Sequence, residues 1–204
     1  MVGIVGKKIG MSQIFQKSGE LTPVSVIEAG PCPILQVKDE SNDGYKAIQV
    51  GFGIKKRTNK PMTGHLKKSK TKSAARILEI RINDTTKYKV GDNIDVTIFA
   101  TGDTVSVTGW TKGRGFSGGM KRWGWSGGPA THGSMAHRRI GSSGAGTSPG
   151  RILKNKTMPG RYGNEQITIK NLRVVKVEKE KNMLYLKGAV PGARNSYLVI
   201  TKDE

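Results

Sequence analysis

Residues 109–163 hold 15 glycines in 55 positions, and their only Ile, Val, Leu or Phe are Phe116, Ile140, Ile152 and Leu153. A stretch so poor in aliphatic side chains cannot bury a core of its own, and dense glycine raises the entropy cost of ordering it. The same stretch carries ten Lys or Arg and no Asp or Glu. The fold must therefore come from the chain on either side. A connection this long inside a compact domain is expected to have a function or a partner that orders it.

The charge is as uneven as the glycine. The 204 residues carry 35 Lys+Arg against 15 Asp+Glu, a formal net charge of +20. A second basic segment, residues 55–81, has ten cations against Glu79 alone, so the two segments hold 19 of the 20 net charges. Ile, Val, Leu and Phe make up 22% of the chain, close to the level below which a highly charged chain stays disordered. That figure averages a nearly neutral, core-forming remainder with two basic segments.

A pI near 10.2 with 6% aromatic residues points to a polyanionic partner, with an anionic membrane as the poorer alternative. The single Cys32 excludes an intramolecular disulfide framework and suits a reducing compartment. No apolar run reaches membrane-spanning length, and MVGIVGKKIGMSQIF has charges inside its apolar stretch, unlike a signal peptide. A cytosolic or organellar protein without a membrane partner is expected.

The nearly neutral remainder reads as mainly β. Short β-prone runs at 3–15, 23–27, 33–38 and 45–52 are separated by Gly, Pro, Asn and Asp. Residues 94–109 alternate apolar and polar on either side of Thr101-Gly102-Asp103, which predicts a hairpin. Residues 167–188 predict a second hairpin turning near Lys181-Asn182, and 196–200 a last strand. The only helix expected is residues 73–80, SAARILEI, with Ile77 and Ile80 sharing a face with Ala74. Without long helical crossovers, a closed or nearly closed barrel is favoured over a βαβ sheet. The expected body comprises 1–108 and 164–204, with a basic loop and short helix at 55–81, and 109–163 forms an extended loop.

Within that loop, Lys112, Arg114, Lys121 and Arg122 interleave with Trp110, Phe116, Trp123 and Trp125. Arg forks fit phosphates, aromatic and guanidinium planes accept bases, and glycines let backbone N–H groups approach an anionic backbone. Further on, Arg138, Arg139, Arg151, Lys154, Lys156 and Arg161 flank or follow the small, uncharged run Gly144, Ala145, Gly146, Thr147, Ser148 and Pro149. Small residues between basic flanks suit the apex of a hairpin-like loop whose stems neutralise phosphates. Lys55, Lys56, Arg57, Lys60, Lys67 and Lys68 form a second expected RNA contact, since phosphate neutralisation sums across surfaces. The plain alternatives are a disordered Arg/Gly-rich segment that binds loosely and an ordinary solvated basic loop.

Other chemistries find little support. His132 and His137 have no acid beside them for acid–base work and are read as RNA hydrogen-bonding or packing groups. With His65 remote and Cys32 isolated, no zinc spacing forms, and neither a P-loop nor a dinucleotide motif is present. Neither a cofactor nor a metal is expected. The Asn83-Asp84-Thr85 and Asn155-Lys156-Thr157 glycosylation patterns would need a secretory route. Pro129 and Pro149 are read as turn markers that need no cis bond.

Together, GIVGKKIGMSQIF, VSVIEAGPCPILQVK, DGYKAIQVGFG, VTGWTKGRGFSGGMKRWGWSGGPATHGS and SPGRILKNKTMPGRYGNEQITIKNLRVVKVEKEKNMLYLKGAVPG give the chain a family resemblance. In this order and over nearly its full length, the chain resembles the bacterial type of ribosomal protein L-three, the third-numbered protein of the large subunit. The resemblance implies a translation-protein type β-barrel and a central extension threading into large-subunit rRNA. It also implies binding early in assembly near the 3′-terminal rRNA domain, and an apex close to the peptidyl-transferase centre that supplies none of its chemistry. Neighbours implied are the fourteenth, thirteenth and bacterial nineteenth large-subunit proteins. Two positions depart from the family pattern. Thr147 stands where many bacterial relatives carry a methylated glutamine, and KNKTMPG at 154–160 replaces the usual KGKKMAG.

Two other function classes remain open on the residues: a free RNA chaperone or regulatory RNA-binding module, and an enzyme, for which the sequence nominates no site.

Overall fold

The computed structural model describes residues 3–16 and 19–202; positions 1, 2, 17, 18, 203 and 204 of the expected body lie outside the described residues. The chain divides into two compact units, one formed by the chain up to Thr111 and from Gln166 onward, the other by Lys112–Glu165.

The first unit is mainly β. Its strands are β1 (Gly3–Phe15), β2 (Leu21–Ala29), β3 (Cys32–Lys38), β4 (Ala47–Phe52), β5 (Arg76–Arg81), β6 (Asn93–Ile94) and β7 (Thr104–Trp110). After the second unit, which contributes β8 (Gly115–Ser117) and β9 (Gly160–Tyr162), come β10 (Gln166–Glu178), β11 (Met183–Lys187) and β12 (Tyr197–Lys202). Six strands close into a barrel in the order β1-β12-β7-β10-β11-β2, and β5-β4-β3-β6 form a separate four-stranded sheet. Every ladder is antiparallel, as in Ile4 opposite Ile200, Val107 opposite Ile200 and Leu184 opposite Ile27.

One core joins barrel and sheet. Val5, Ile27, Val105, Val107, Leu184, Leu186 and Ile200 from the barrel belong to the same buried cluster as Ile34, Ile48, Val50 and Ile80 from the sheet. Alternation explains the barrel side: Val105 and Val107, Leu184 and Leu186, and Leu198 and Ile200 each place every second residue inward. Close approach matters at Gly109, where an added Cβ would sit 2.5 Å from Leu198 Cδ2 and 3.1 Å from Pro191 Cγ. In β10 the register against β7 slips between Ile169 and Leu172, where Asn171 adopts φ 60°, a bulge after which β10 pairs with β7 through Arg173 and with β11 from Val174.

Two sequence expectations fail in this unit. Residues 73–80 are not helical: Arg76–Arg81 is β5, laid along β4 with Phe52 opposite Arg76 and Ala47 opposite Arg81. The buried β4 offers a six-rung ladder, and an isolated two-turn helix with its costly nucleus cannot compete. The helix of this segment lies earlier, as α2 (Lys60–Lys67), after the one-turn α1 (Glu40–Asp43). Pro61 stands in its first turn, where the missing N–H costs nothing. The second failure is the hairpin expected over residues 94–109. Thr101-Gly102-Asp103 does turn, with Gly102 at φ 97°, but β7 pairs with β10 and β12. The preceding residues form the two-residue β6 against β3 and a 3-10 turn, Val96–Ile98. Burial of Ile94, Val96 and Phe99 breaks the two-residue period and holds this segment in the core without a strand.

The strands expected at 3–15, 23–27, 33–38 and 45–52, the hairpin turning at 181–182 and the final strand all form, with ends shifted by a few residues.

Candidate nucleic-acid interface

In the second unit, Lys112–Glu165, β8 and β9 pair through Gly115 opposite Tyr162 and Ser117 opposite Gly160. Arg114 N–H donates to the Tyr162 carbonyl at 2.9 Å, extending that contact. The short helix α3 (Gly119–Trp123) follows β8 and ends at Gly124 with φ 71°, the left-handed stop typical of glycine.

Three side-chain donors after β8 reach the leg that leads into β9. Arg122 Nη1 and Trp123 Nε1 both donate to the Met158 carbonyl, at 3.0 and 2.8 Å, and Trp125 Nε1 donates to Thr157 Oγ1 at 3.2 Å. The Arg122 guanidinium lies 4.8 Å from the Trp123 ring centroid, so cation and ring also brace one another. Gly119 faces the Trp125 ring so closely that any Cβ there would overlap it. Trp123 and Trp125 thus use their indole N–H groups to fasten the unit, leaving ring surface as the part free to meet a partner.

The unit has almost no interior. Its only buried residues are Ser117, Gly119 and Gly163, whereas Phe116 is 82% exposed and Trp123 48%. Ile140, Ile152, Leu153 and Tyr162 are exposed as well. Lys112, Arg114, Lys121, Arg138, Arg139, Arg151, Lys154, Lys156 and Arg161 are exposed with them, as are His132 and His137, while Arg122 and Trp125 are half-buried. Cations and apolar rings are thus both open to solvent, as stacking and phosphate contact to nucleic acid require.

At the expected apex, Gly144, Ala145, Gly146, Thr147, Ser148 and Pro149 are exposed, and Ser142 Oγ donates to the Gly144 carbonyl at 2.9 Å. The Ser148–Pro149 peptide is cis, as is Gly30–Pro31, which corrects the plain turn expected at Pro149. The small cis–trans gap of an X-Pro bond lets the surrounding loop choose the isomer.

The second basic segment belongs to the first unit. Lys55, Lys56 and Arg57 lie before α2, Lys60 and Lys67 on it and Lys68 just past it, and all six are exposed. Leu66 is the buried residue of α2 and packs with Leu35, Ala74 and Ile77. His65 Nε2 lies 2.5 Å from Gln49 Oε1, and Gln49 Nε2 donates to Glu79 Oε1 at 3.2 Å. Glu79 also accepts from Tyr45 at 2.8 Å and pairs with Lys38 at 2.8 Å. The Lys38 ammonium and the Tyr45 hydroxyl hold the Glu79 carboxyl below its ordinary range, and Glu79 holds Lys38 above its own. This network fixes one face of α2 to the sheet and leaves the lysines outward. No sequence pattern signals it, since its members come from β3, the loop before β4, β4, β5 and α2. Nor could it flag Met158, whose role is played by a backbone carbonyl.

Among the described residues no three His, Cys, Asp or Glu side chains gather as a metal site. Among the same described residues no helix is long and apolar enough to cross a membrane. Cys32 is buried, donates to the Val5 carbonyl at 3.3 Å, and burial pushes its thiol up to about 12.

Comparison with known proteins places the chain among relatives of one family. The profile of the family described as Ribosomal protein L3 matches residues 33–183. The large ribosomal subunit protein uL3 of Pseudothermotoga lettingae is 53% identical over 200 residues, covering 97% of this chain and 95% of its own. The proteins of the same name from Carboxydothermus hydrogenoformans and Thermotoga petrophila are 51% identical over 200 residues and 49% over 197, each covering 97% of this chain and 95% of its own. On the strength of that profile match and of identity near one half across almost the whole length, the chain belongs to the ribosomal protein L3 family.

Proposed function

We propose that the protein is a structural constituent of the large ribosomal subunit, located with it in the cytoplasm, and that it binds large-subunit rRNA directly. The observation that carries this reading is the segment 109–163, which supplies nearly all of the second unit: it has ten cations, no acid and an exposed set of rings and aliphatic side chains. Such a segment gains its missing burial and its missing counter-charge together from a folded polyanion.

In this reading the first unit is a translation-protein type barrel and 109–163 is an extension that enters rRNA. The rRNA-facing residues are the exposed cations, rings and histidines of that extension together with the lysines and Arg57 around α2. The apex at 144–149 lies beside the peptidyl-transferase region and buttresses it without taking part in its chemistry. Binding is early in assembly and involves the 3′-terminal rRNA domain, with the fourteenth, thirteenth and bacterial nineteenth large-subunit proteins as neighbours.

The test is a salt titration of binding to a large-subunit rRNA fragment, with stoichiometric recovery of the protein on isolated large subunits. A steep fall of affinity with salt is expected, because each neutralised phosphate releases a counterion. A flat profile, or a protein absent from large subunits, sinks the reading; RNA binding without subunit association turns it toward a free RNA chaperone.

A further inference from the structure

Within the second unit, a hollow of about 1100 Å³ opens between the segment after α3 and the segment around Arg138. Trp125, Met135, Ile140 and Pro159 supply apolar wall, Arg138 and Arg139 supply charge, and much of the remaining lining is glycine backbone.

Close contacts that exclude larger residues shape this hollow. Gly119 lies flat against the Trp125 ring, and a Cβ at Gly127 would run into Met120 Cε and the His137 carbonyl oxygen. At Gly128 a Cβ would come within 2.9 Å of Ala136 Cβ, and Gly128 N–H donates to the His137 carbonyl at 2.7 Å. With Trp125 Nε1 held by Thr157, the ring is fixed from behind and by its edge. The hollow therefore exists before any ligand arrives.

We infer that this hollow receives an unstacked, single-stranded RNA nucleotide, its base against Trp125 and the apolar wall, its phosphate against Arg138 and Arg139. The inference rests on the rRNA-binding reading and sharpens it. A duplex keeps its base faces stacked inside and offers only edges and backbone, so it cannot fill a recessed apolar wall. An unpaired base brings a π face for the indole and an anion on the same residue, which matches ring and arginines in one site. No acid within 109–163 opposes that anion. An apolar peptide would leave both arginines without a counter-charge.

The test uses the full chain with a short single-stranded RNA carrying one 2-aminopurine, the same strand annealed to its complement, and a large-subunit rRNA fragment. Binding of the single strand is expected to quench the 2-aminopurine further, the annealed probe, already dim because its 2-aminopurine is stacked, to show no change, and Trp125→Leu to weaken single-strand binding roughly tenfold. Met135→Asp, at a position 84% exposed, is expected to weaken it as well by placing an acid in the wall without disturbing the fold. Quenching that survives Trp125→Leu, equal quenching of the annealed probe, or unquenched binding of the single strand overturns the inference while rRNA binding stands. Failure of the unaltered protein to bind the rRNA fragment overturns the rRNA-binding reading and this inference with it.

Discussion

At the residue scale, the side chains in the second unit serve two ends, and the geometry separates them. Arg122 and Trp123 converge on one carbonyl, that of Met158, so each holds the two legs of the loop together besides presenting a cation or a ring. Trp123→Phe keeps an aromatic ring and removes only the N–H. It is expected to cost about 1 kcal/mol locally, seen as severalfold faster amide exchange at 115–123 and 157–162 with barrel amides unchanged; unchanged exchange at those positions refutes the tie. Glu79 gives a second residue-scale prediction. Its carboxyl is held below 4.5 by Lys38 and Tyr45, so its stabilising effect is complete above that value and is lost as pH falls through the lower folded value. The denaturation midpoint is expected to drop from pH 7 to pH 3, and Glu79→Gln to flatten part of that drop; a parallel pH profile in the variant contradicts it.

At the element scale, the failed expectations show what a local pattern omits. Residues 73–80 have helical spacing, yet β4 left an edge that Ile77, Leu78 and Ile80 could pair along, and the choice between them is tertiary. Residues 94–99 alternate at first and then turn, because Phe99 and Val96 enter the core together. Where one face alternates cleanly over a whole strand, as in β7, β11 and β12, the element was legible from sequence alone. The second unit was legible as a surface through its composition, but its ties were not: a backbone carbonyl and close contacts at Gly119 and Gly127 leave no mark beyond glycine itself. A further prediction belongs to this scale. Gly109→Ala presses a methyl against Leu198 where β7 meets β12, and overpacking of this kind costs ~1–3 kcal/mol. The urea midpoint is expected to fall accordingly; an unchanged midpoint means that Leu198 relaxes freely.

At the scale of the whole molecule, burial and charge are divided between separate parts of one chain. The buried cluster draws only on the first unit, so replacing Lys112–Glu165 by a short turn is expected to leave a soluble β protein with a cooperative unfolding transition and rRNA affinity reduced by orders of magnitude. Circular dichroism and a binding titration check both halves. A truncated chain that fails to fold refutes the independence of the barrel.

The barrel is stitched across the chain: β1 pairs with β12, β2 with β11 and β7 with β10. A ribosome making this protein completes the polycationic stretch before it has made β10, β11 or β12, so the stretch emerges while the barrel still lacks half its strands. During that interval β1, β7 and β2 have unpaired edges, and the cations are already in solution. Synthesis order alone thus gives the nascent chain a period in which its charge can be neutralised before its fold can close, and the last strand made, β12, seals the cylinder by bridging β1 to β7.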